Sequence, residues 1–407
     1  MIEPRTGNYL SSCSNEAVEL YNQAIDLILG SQSGAAQALD RALKLDGHFA
    51  LAAAARYFVE KDIGGPDANR FLSLATESAV HASEWEREHI DILFGFMTDA
   101  GNTIDRARAY LKTNPGDLLI VSQLSSYLIF YGGPNKLTAV LNLLESVGQG
   151  RENDWAFLAR LGFAASEAGD RQRGRTLIER ALELRPESLY SIHALAHLLH
   201  DEGEAEESTR VIQRWLSEYE GSARDGQMYS HVQWHLALSE WQTGERDNAI
   251  KRYTEFCSPD VTTCGPVLAL ADCGGFLLRD YLATGKATAL PKDALEHIER
   301  FWTMISHPFI ALHIAGLYAS AEDSEGLEKC VSSIVGSPTC TSREVSLALV
   351  SALRDFVAKD YKHAAMFLAS ISLAARIGIG GSNVERILID LIEEHAKDRS
   401  ASSSPSA

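Results

Sequence analysis

The stretch Trp155–Pro186, WAFLARLGFAASEAGDRQRGRTLIERALELRP, decides the fold. Its apolar positions recur at spacings of three and four residues, the period of a helix with one buried face. Gly162 is small where two helices of a hairpin must come close. Gly169 stands at the turn, where glycine accepts a left-handed backbone without a steric penalty. Pro186 stops the second helix, because it lacks the amide hydrogen that the helix needs. Helix, glycine turn, helix and proline stop together describe a tetratricopeptide-like repeat.

The pattern returns downstream. Ala196 and Gly203 repeat it 34 residues on, with Ile212 in the second helix. A third copy runs through Ala237, Gly244, Ala249 and Tyr253. Gly203 and Gly244 are 41 residues apart, so the spacing predicts a longer connection inserted around Glu220–Gln227. The clearest repeats are therefore 155–188, 189–222 and 230–258. Looser copies lie at Gly34–Phe58, Thr103–Leu119, His307–Ser320 with Glu325–Ile334, and Asp360–Ala375 with Ser382–Ala396.

The predicted fold is all-α, a tetratricopeptide-like α-α superhelix of about nine or ten stacked hairpins. A solenoid buries its core only by stacking neighbours, so residues 1–400 are expected to form one domain. That many hairpins can curve until the array closes on itself. The small polar end, 401–407, is expected to be a disordered tail.

Charge narrows the function. With 37 basic and 55 acidic residues the formal charge is −18, which argues against a nucleic-acid groove and against binding to anionic membranes. No uncharged apolar run is long enough to span a bilayer. The opening MIEPRTGNYL lacks the apolar core of a signal peptide. The six cysteines are scattered without a CxxC pair, as reduced thiols would be. A cytoplasmic protein is the expectation.

The chemistry-bearing residues are histidines. His193 and His197 are four apart, as are His231 and His235, and residues four apart share a helix face. Both pairs fall on first helices of consecutive repeats, so four imidazoles can meet on one concave surface. They could ligate a divalent transition metal, although the HExxH motif is absent and no cysteine sits at ligand spacing. The metal-free form of the site is expected ahead of it, with histidine as acid or base near neutral pH. The bland alternative is that these rings simply bond helices together. Asp272 could orient one imidazole. Arg279, seven residues on, could pair with an anionic ligand, and His313 would arrive from the next hairpin. Trp234 and its aromatic neighbours could wall a pocket or merely pack. Cys273, beside Gly274 and Gly275, has no nucleophile elbow around it and is expected to be core. The glycine pair allows a close helix crossing, a kink or ligand approach. GIGGSN, Gly378–Asn383, has no Lys-Ser/Thr ending and is expected to be an interhelical turn.

Four segments in order, SIHALAHLLHDEG (Ser191–Gly203), HVQWHLALSEWQTGE (His231–Glu245), ADCGGFLLRDYLATG (Ala271–Gly285) and HPFIALHIAGLYA (His307–Ala319), resemble the tetratricopeptide-repeat protein 38 family. EREHID (Glu86–Asp91) and NPGDLL (Asn114–Leu119) fit the family's earlier portion, so the resemblance covers roughly Ala17 to Gly381. It implies an all-helical repeat fold and no agreed reaction. The family-like positions are His193, His197, His231, Trp234, His235, Asp272, Arg279 and His313. The chain departs where the family tends to be acidic, at His200 and Ala311, and lacks the histidine often found near Ser125 or Ser126.

These residues point to small-molecule binding at a histidine-rich concave site, with acid–base or hydrolytic chemistry open to it. The catalytic candidates are His193, His197, His231, His235, Asp272 and His313; Arg279 and Trp234 are the substrate-binding candidates. The alternative is a protein–protein interaction scaffold that grips a peptide in its groove.

Overall fold

In the computed structural model, which describes residues 5–402 apart from 63 and 132, the glycine turns fall where the repeats require them. Gly169, Gly203 and Gly244 have φ of +97°, +75° and +88°. A Cβ at Gly162 would stand 2.7 Å from the Ile178 side chain and 3.0 Å from the Gly174 carbonyl. The small residue is thus what lets the two helices of that hairpin touch.

Every regular element among the described residues is a helix, and α1 to α20 pair off as hairpins. The first four are α1 (Asn15–Leu29) with α2 (Ala35–Leu45), α3 (Ala50–Asp62) with α4 (Ala68–Ser78), α5 (Glu84–Thr98) with α6 (Ala100–Thr113), and α7 (Leu118–Tyr131) with α8 (Lys136–Ser146). The central three are α9 (Trp155–Glu167) with α10 (Arg171–Leu184), α11 (Leu189–Asp201) with α12 (Ala205–Ala223), and α13 (Tyr229–Gln242) with α14 (Arg246–Arg252). Then come α15 (Pro266–Thr284) with α16 (Lys292–Phe301), α17 (Pro308–Ser320) with α18 (Ser324–Val335), and α19 (Thr341–Val357) with α20 (Tyr361–Ala369). A short α21 (Leu373–Gly378) leads to the long last helix, α22 (Asn383–Ser402).

Two layers follow from composition. Helices α9, α11, α15 and α17 are buried along nearly their whole length, while α10 buries only Gly174, Ile178 and Ala181. A helix apolar on one stripe faces solvent with the rest, and one apolar all round lies inside. Acids and serines begin many of these helices. Asp154 accepts the amides of Ala156 and Phe157, and Ser188 accepts that of Ser191. Such caps are worth about 1 kcal/mol each.

The array closes on itself. The Tyr190 amide donates to the Gly30 carbonyl at 3.0 Å, and the Gln32 side chain donates to Glu187 O at 2.9 Å. Farther round, Phe130 meets Phe309 edge-on at 5.2 Å. The buried Lys136 ammonium donates to Ile129 O at 2.9 Å and to Gly381 O at 2.6 Å. The last helix then packs on the inner helices α11 and α15.

Three expectations change in detail. The residues inserted near Glu220–Gln227 mostly lengthen α12, which reaches Ala223, so its end meets the first hairpin: Ser33 Oγ donates to Ser222 O at 2.8 Å. The helix expected over Asp360–Ala375 breaks at Ser370–Ser372, where Ser372 caps α21. Ala401 and Ser402, expected in a disordered tail, belong to α22, and 403–407 lie outside the described residues.

Gly274 is explained by a close crossing. A Cβ there would lie 2.6 Å from the His313 carbonyl oxygen and 3.1 Å from His313 Cα, both backbone atoms of α17. Gly274→Val is expected to cost about 3 kcal/mol, the upper range for overpacking a rigid core, as measured by urea unfolding. Stability equal to the parent protein would mean that α15 and α17 are free to move apart.

Candidate functional site

Helices α11 and α13 lie side by side, and each turns its histidine pair toward the other. The ring centroids of His193 and His197 are 4.4 Å apart, those of His231 and His235 4.7 Å, and those of His197 and His235 4.4 Å. One nitrogen from each of the four rings lies within 4.8 Å of the others. All four residues are buried. The spacing argument therefore holds: two i,i+4 pairs from neighbouring repeats form one cluster able in principle to hold a metal.

The cluster forms part of the wall of a chamber of about 600 Å³. His193, His197 and His231 line it, together with α9 residues Arg160 and Phe163, α11 residue Tyr190, and Ser382 and Glu385 at the start of α22. The opposite walls come from the N-terminal hairpins, among them Phe58, Phe96, Ser125 and Ser126. His235 is not in the lining and sits behind the other three.

Behind His231 stands Asp272 of α15. Its Oδ1 is 2.8 Å from His231 Nδ1, which sets the ring so that Nε2 is left for the chamber and the cluster. Trp234 stacks on His231 at 5.2 Å and donates Nε1–H to the Asp272 carbonyl at 2.9 Å. Trp234 thus holds the dyad in place from outside the chamber. Burial pulls the His231 pKa down, but the Asp272 carboxylate outweighs it, and the net direction is up. Burial raises Asp272 in spite of His231.

The other three imidazoles go the opposite way. Burial, then repulsion from neighbouring rings, holds His193, His197 and His235 well below the ordinary histidine range. Burial thus favours their neutral form. His193 Nε2 and His197 Nε2 are 2.8 Å apart, so one ring donates and the other accepts. His193 Nδ1, His197 Nδ1 and His235 Nε2 are left buried without a hydrogen-bond partner. The Glu167 carboxyl stands 3.8 Å from His197 Nδ1, and burial raises its pKa to about 7.

Trp234, expected to bind substrate, is thus outside the chamber, and Arg279 and His313 stand apart as well. Arg279, expected to bind an anionic ligand, is buried outside the lining and donates to Gly275 O at 3.0 Å and to Val384 O. It ties α15 to the start of α22, and burial lowers its pKa to about 10. His313 contacts the Phe309 carbonyl through Nδ1 at 2.7 Å, buried beneath Gly274 and away from the chamber. Cys273 is core as expected; burial pushes its thiol up to about 12, so it is no nucleophile near neutral pH. His200 lies near Asp201 and Gln242, not in the lining. Ser125 and Ser126 do line the chamber, so the absent histidine leaves hydroxyl groups at its wall.

Arg160, Tyr190 and Glu385 were not predicted. A capping-box pattern, Ser382 with Glu385, does mark the start of α22 in sequence, and the Ser382 amide and hydroxyl both donate to the Glu385 carboxylate. Nothing in the sequence places that helix end beside the histidines. The early family-like segments meet elsewhere, where His89 Nδ1 lies 2.5 Å from Asp117 Oδ2.

No protein-family model matches the chain. Among solved structures, it is similar to the crystal structure of yeast Tom70, at 11% identity and a TM-score of 0.32, over 97% of this chain and 91% of that one. It is also similar to the crystal structure of the P58(IPK) TPR domain, at 14% identity and a TM-score of 0.22, over 96% of this chain and 100% of that one. Superpositions this loose carry no argument, and the fold rests on the chain's own helices and turns. None of its described helices is long and apolar enough to cross a membrane.

Proposed function

We propose that this helical-repeat protein binds a small molecule in its central chamber. Its four-histidine cluster holds one divalent transition metal there, for hydrolytic or proton-transfer chemistry. The observation that carries this is the convergence of four buried imidazole nitrogens within 4.8 Å, beside a chamber of about 600 Å³. Volumes of this order suit small ligands. Buried polar atoms without partners cost roughly 1–3 kcal/mol each, so three orphaned ring nitrogens are a burden for a merely structural cluster. A cation would also replace the ring-to-ring hydrogen bond between His193 and His197. Burial keeps three rings in the neutral form that ligates, and imidazole suits zinc, copper, iron or nickel. Asp272 would orient His231 as carboxylates commonly orient metal-bound histidines.

The ordered resemblance to the tetratricopeptide-repeat protein 38 family supports this view, because six of its eight family-like positions, the four histidines, Trp234 and Asp272, lie in and behind the cluster. A shared site is the simplest reason for that, and we take the chain as a relative. Six free cysteines favour a reducing, cytoplasmic setting. A peptide-gripping scaffold draws less support, since α22 occupies part of the inner surface.

Cobalt(II) added to chelator-treated protein is expected to give the visible absorption of a low-coordinate nitrogen site, saturating at about one ion per chain. Absence of these bands, with no competition against a chelator, would remove the metal. The His231–Asp272 dyad favours one other form of the site, in which His231 acts as a general base without metal. Turnover that survives exhaustive chelation would select it.

A further inference from the structure

The chamber is positively lined in an acidic chain. Its charged walls are Lys61, Arg160 and Arg300 against Glu385 alone, although the chain as a whole carries −18. Glu385 is already engaged by the Ser382 amide and hydroxyl. Lys61 and Arg300 are exposed.

Arg160 is different, because it is 7% exposed. Its Nη1 donates to Ala156 O at 3.1 Å and its Nη2 to Leu29 O at 3.0 Å. Its guanidinium lies 4.4 Å over the Tyr190 ring. Among the described residues no carboxylate forms an ion pair with it. Arginine is almost never fully buried unless paired, and an uncompensated buried charge is strongly destabilising. Its direct contacts are two carbonyls and a ring, and Asp154 favours its charge only from a distance, against Arg5. Tyr190 in turn lies 5.8 Å from the His193 ring, so Arg160 is one aromatic ring away from the histidine cluster.

We propose that Arg160 receives the carboxylate of an amphipathic monocarboxylic acid, with the carbons next to that carboxylate presented to the histidine cluster. Arg160 is the one buried arginine or lysine among the lining residues, so it matches one carboxylate. The apolar body would run along Phe58, Phe96, Val140, Leu144 and Phe163, which line the same space. Lys61 and Arg300, being exposed, attract the acid from solution, and salt would screen that attraction. This rests on the chamber being the ligand site.

Calorimetric titration of the full chain with decanoate and with decanol tests it. The acid is expected to bind at least about tenfold more tightly than the alcohol, and to keep that preference at about 0.5 M salt, where surface attraction is screened but a buried contact is not. Arg160→Gln is expected to bring the two ligands to similar affinity, and Arg160→Lys to retain preference for the acid. Equal binding of acid and alcohol, or a preference that vanishes in salt, overturns the role of Arg160 and leaves the chamber as a ligand site. A preference intact in Arg160→Gln also overturns it. Binding of neither ligand overturns this inference and the chamber's assignment together. The salt comparison uses the parent protein, so it decides even where the glutamine variant does not fold.

Discussion

His231→Ala is expected to weaken metal binding by more than about a hundredfold, and Asp272→Asn by roughly ten- to a hundredfold. The two changes act differently. The first removes a ring nitrogen that lies within 4.8 Å of three others. The second keeps the ring but replaces the carboxylate that holds Nδ1 at 2.8 Å, so the tautomer and the angle of the imidazole are no longer fixed. Asp272→Asn also leaves the Trp234 bond to the Asp272 backbone carbonyl untouched, so α13 and α15 stay joined. Competition against a chromogenic chelator measures both. His231→Ala binding as tightly as the parent protein would take His231 out of the site. Asp272→Asn at parental affinity would make Asp272 a packing residue only.

The stability of the parent protein relative to Lys136→Met is expected to rise by about 2–3 kcal/mol between pH 7 and pH 9. Lys136 has no exposed surface, and burial, then repulsion from Arg386, brings its pKa down to about 7. Below that value the ammonium is protonated in the folded and the unfolded chain, and stability does not depend on pH through this group. Above it the folded chain releases the proton, while the unfolded chain keeps it up to the ordinary lysine range. The unfolded state then binds more protons, so unfolding becomes harder as pH rises. The variant lacks the group and provides the baseline. Urea unfolding of both proteins at the two pH values gives the comparison. An unchanged difference would mean that the carbonyls of Ile129 and Gly381, with Glu167 and Glu385, keep the ammonium charged.

The hairpins were legible because helical repeats write their geometry locally. Gly162, Gly169 and Pro186 each answer a backbone requirement within one hairpin, and the next repeat restates the small residue and the turn as Ala196 and Gly203. The histidine cluster was legible for the same reason, since i,i+4 spacing and repeat offset place all four rings on facing helices. Arg279 shows where that reasoning stops. It shares a helix with Asp272, yet its surroundings are set by Val384, 105 residues away in sequence. Arg160 and Glu385 fail to announce themselves for the same cause: closure of the array and the return of α22 bring distant segments together, and no local period encodes that. The break at Ser370–Ser372 was within reach, because serine at a helix start competes for the backbone, and Ser372 accepts the Ala375 amide.

The most direct test of the central claim is the transition-metal content of untagged protein, purified without chelator and then dialysed after zinc addition. About one ion per chain is the predicted content, carried by the nitrogens of His193, His197, His231 and His235. Only trace metal both before and after zinc addition would contradict a metal centre in this chamber.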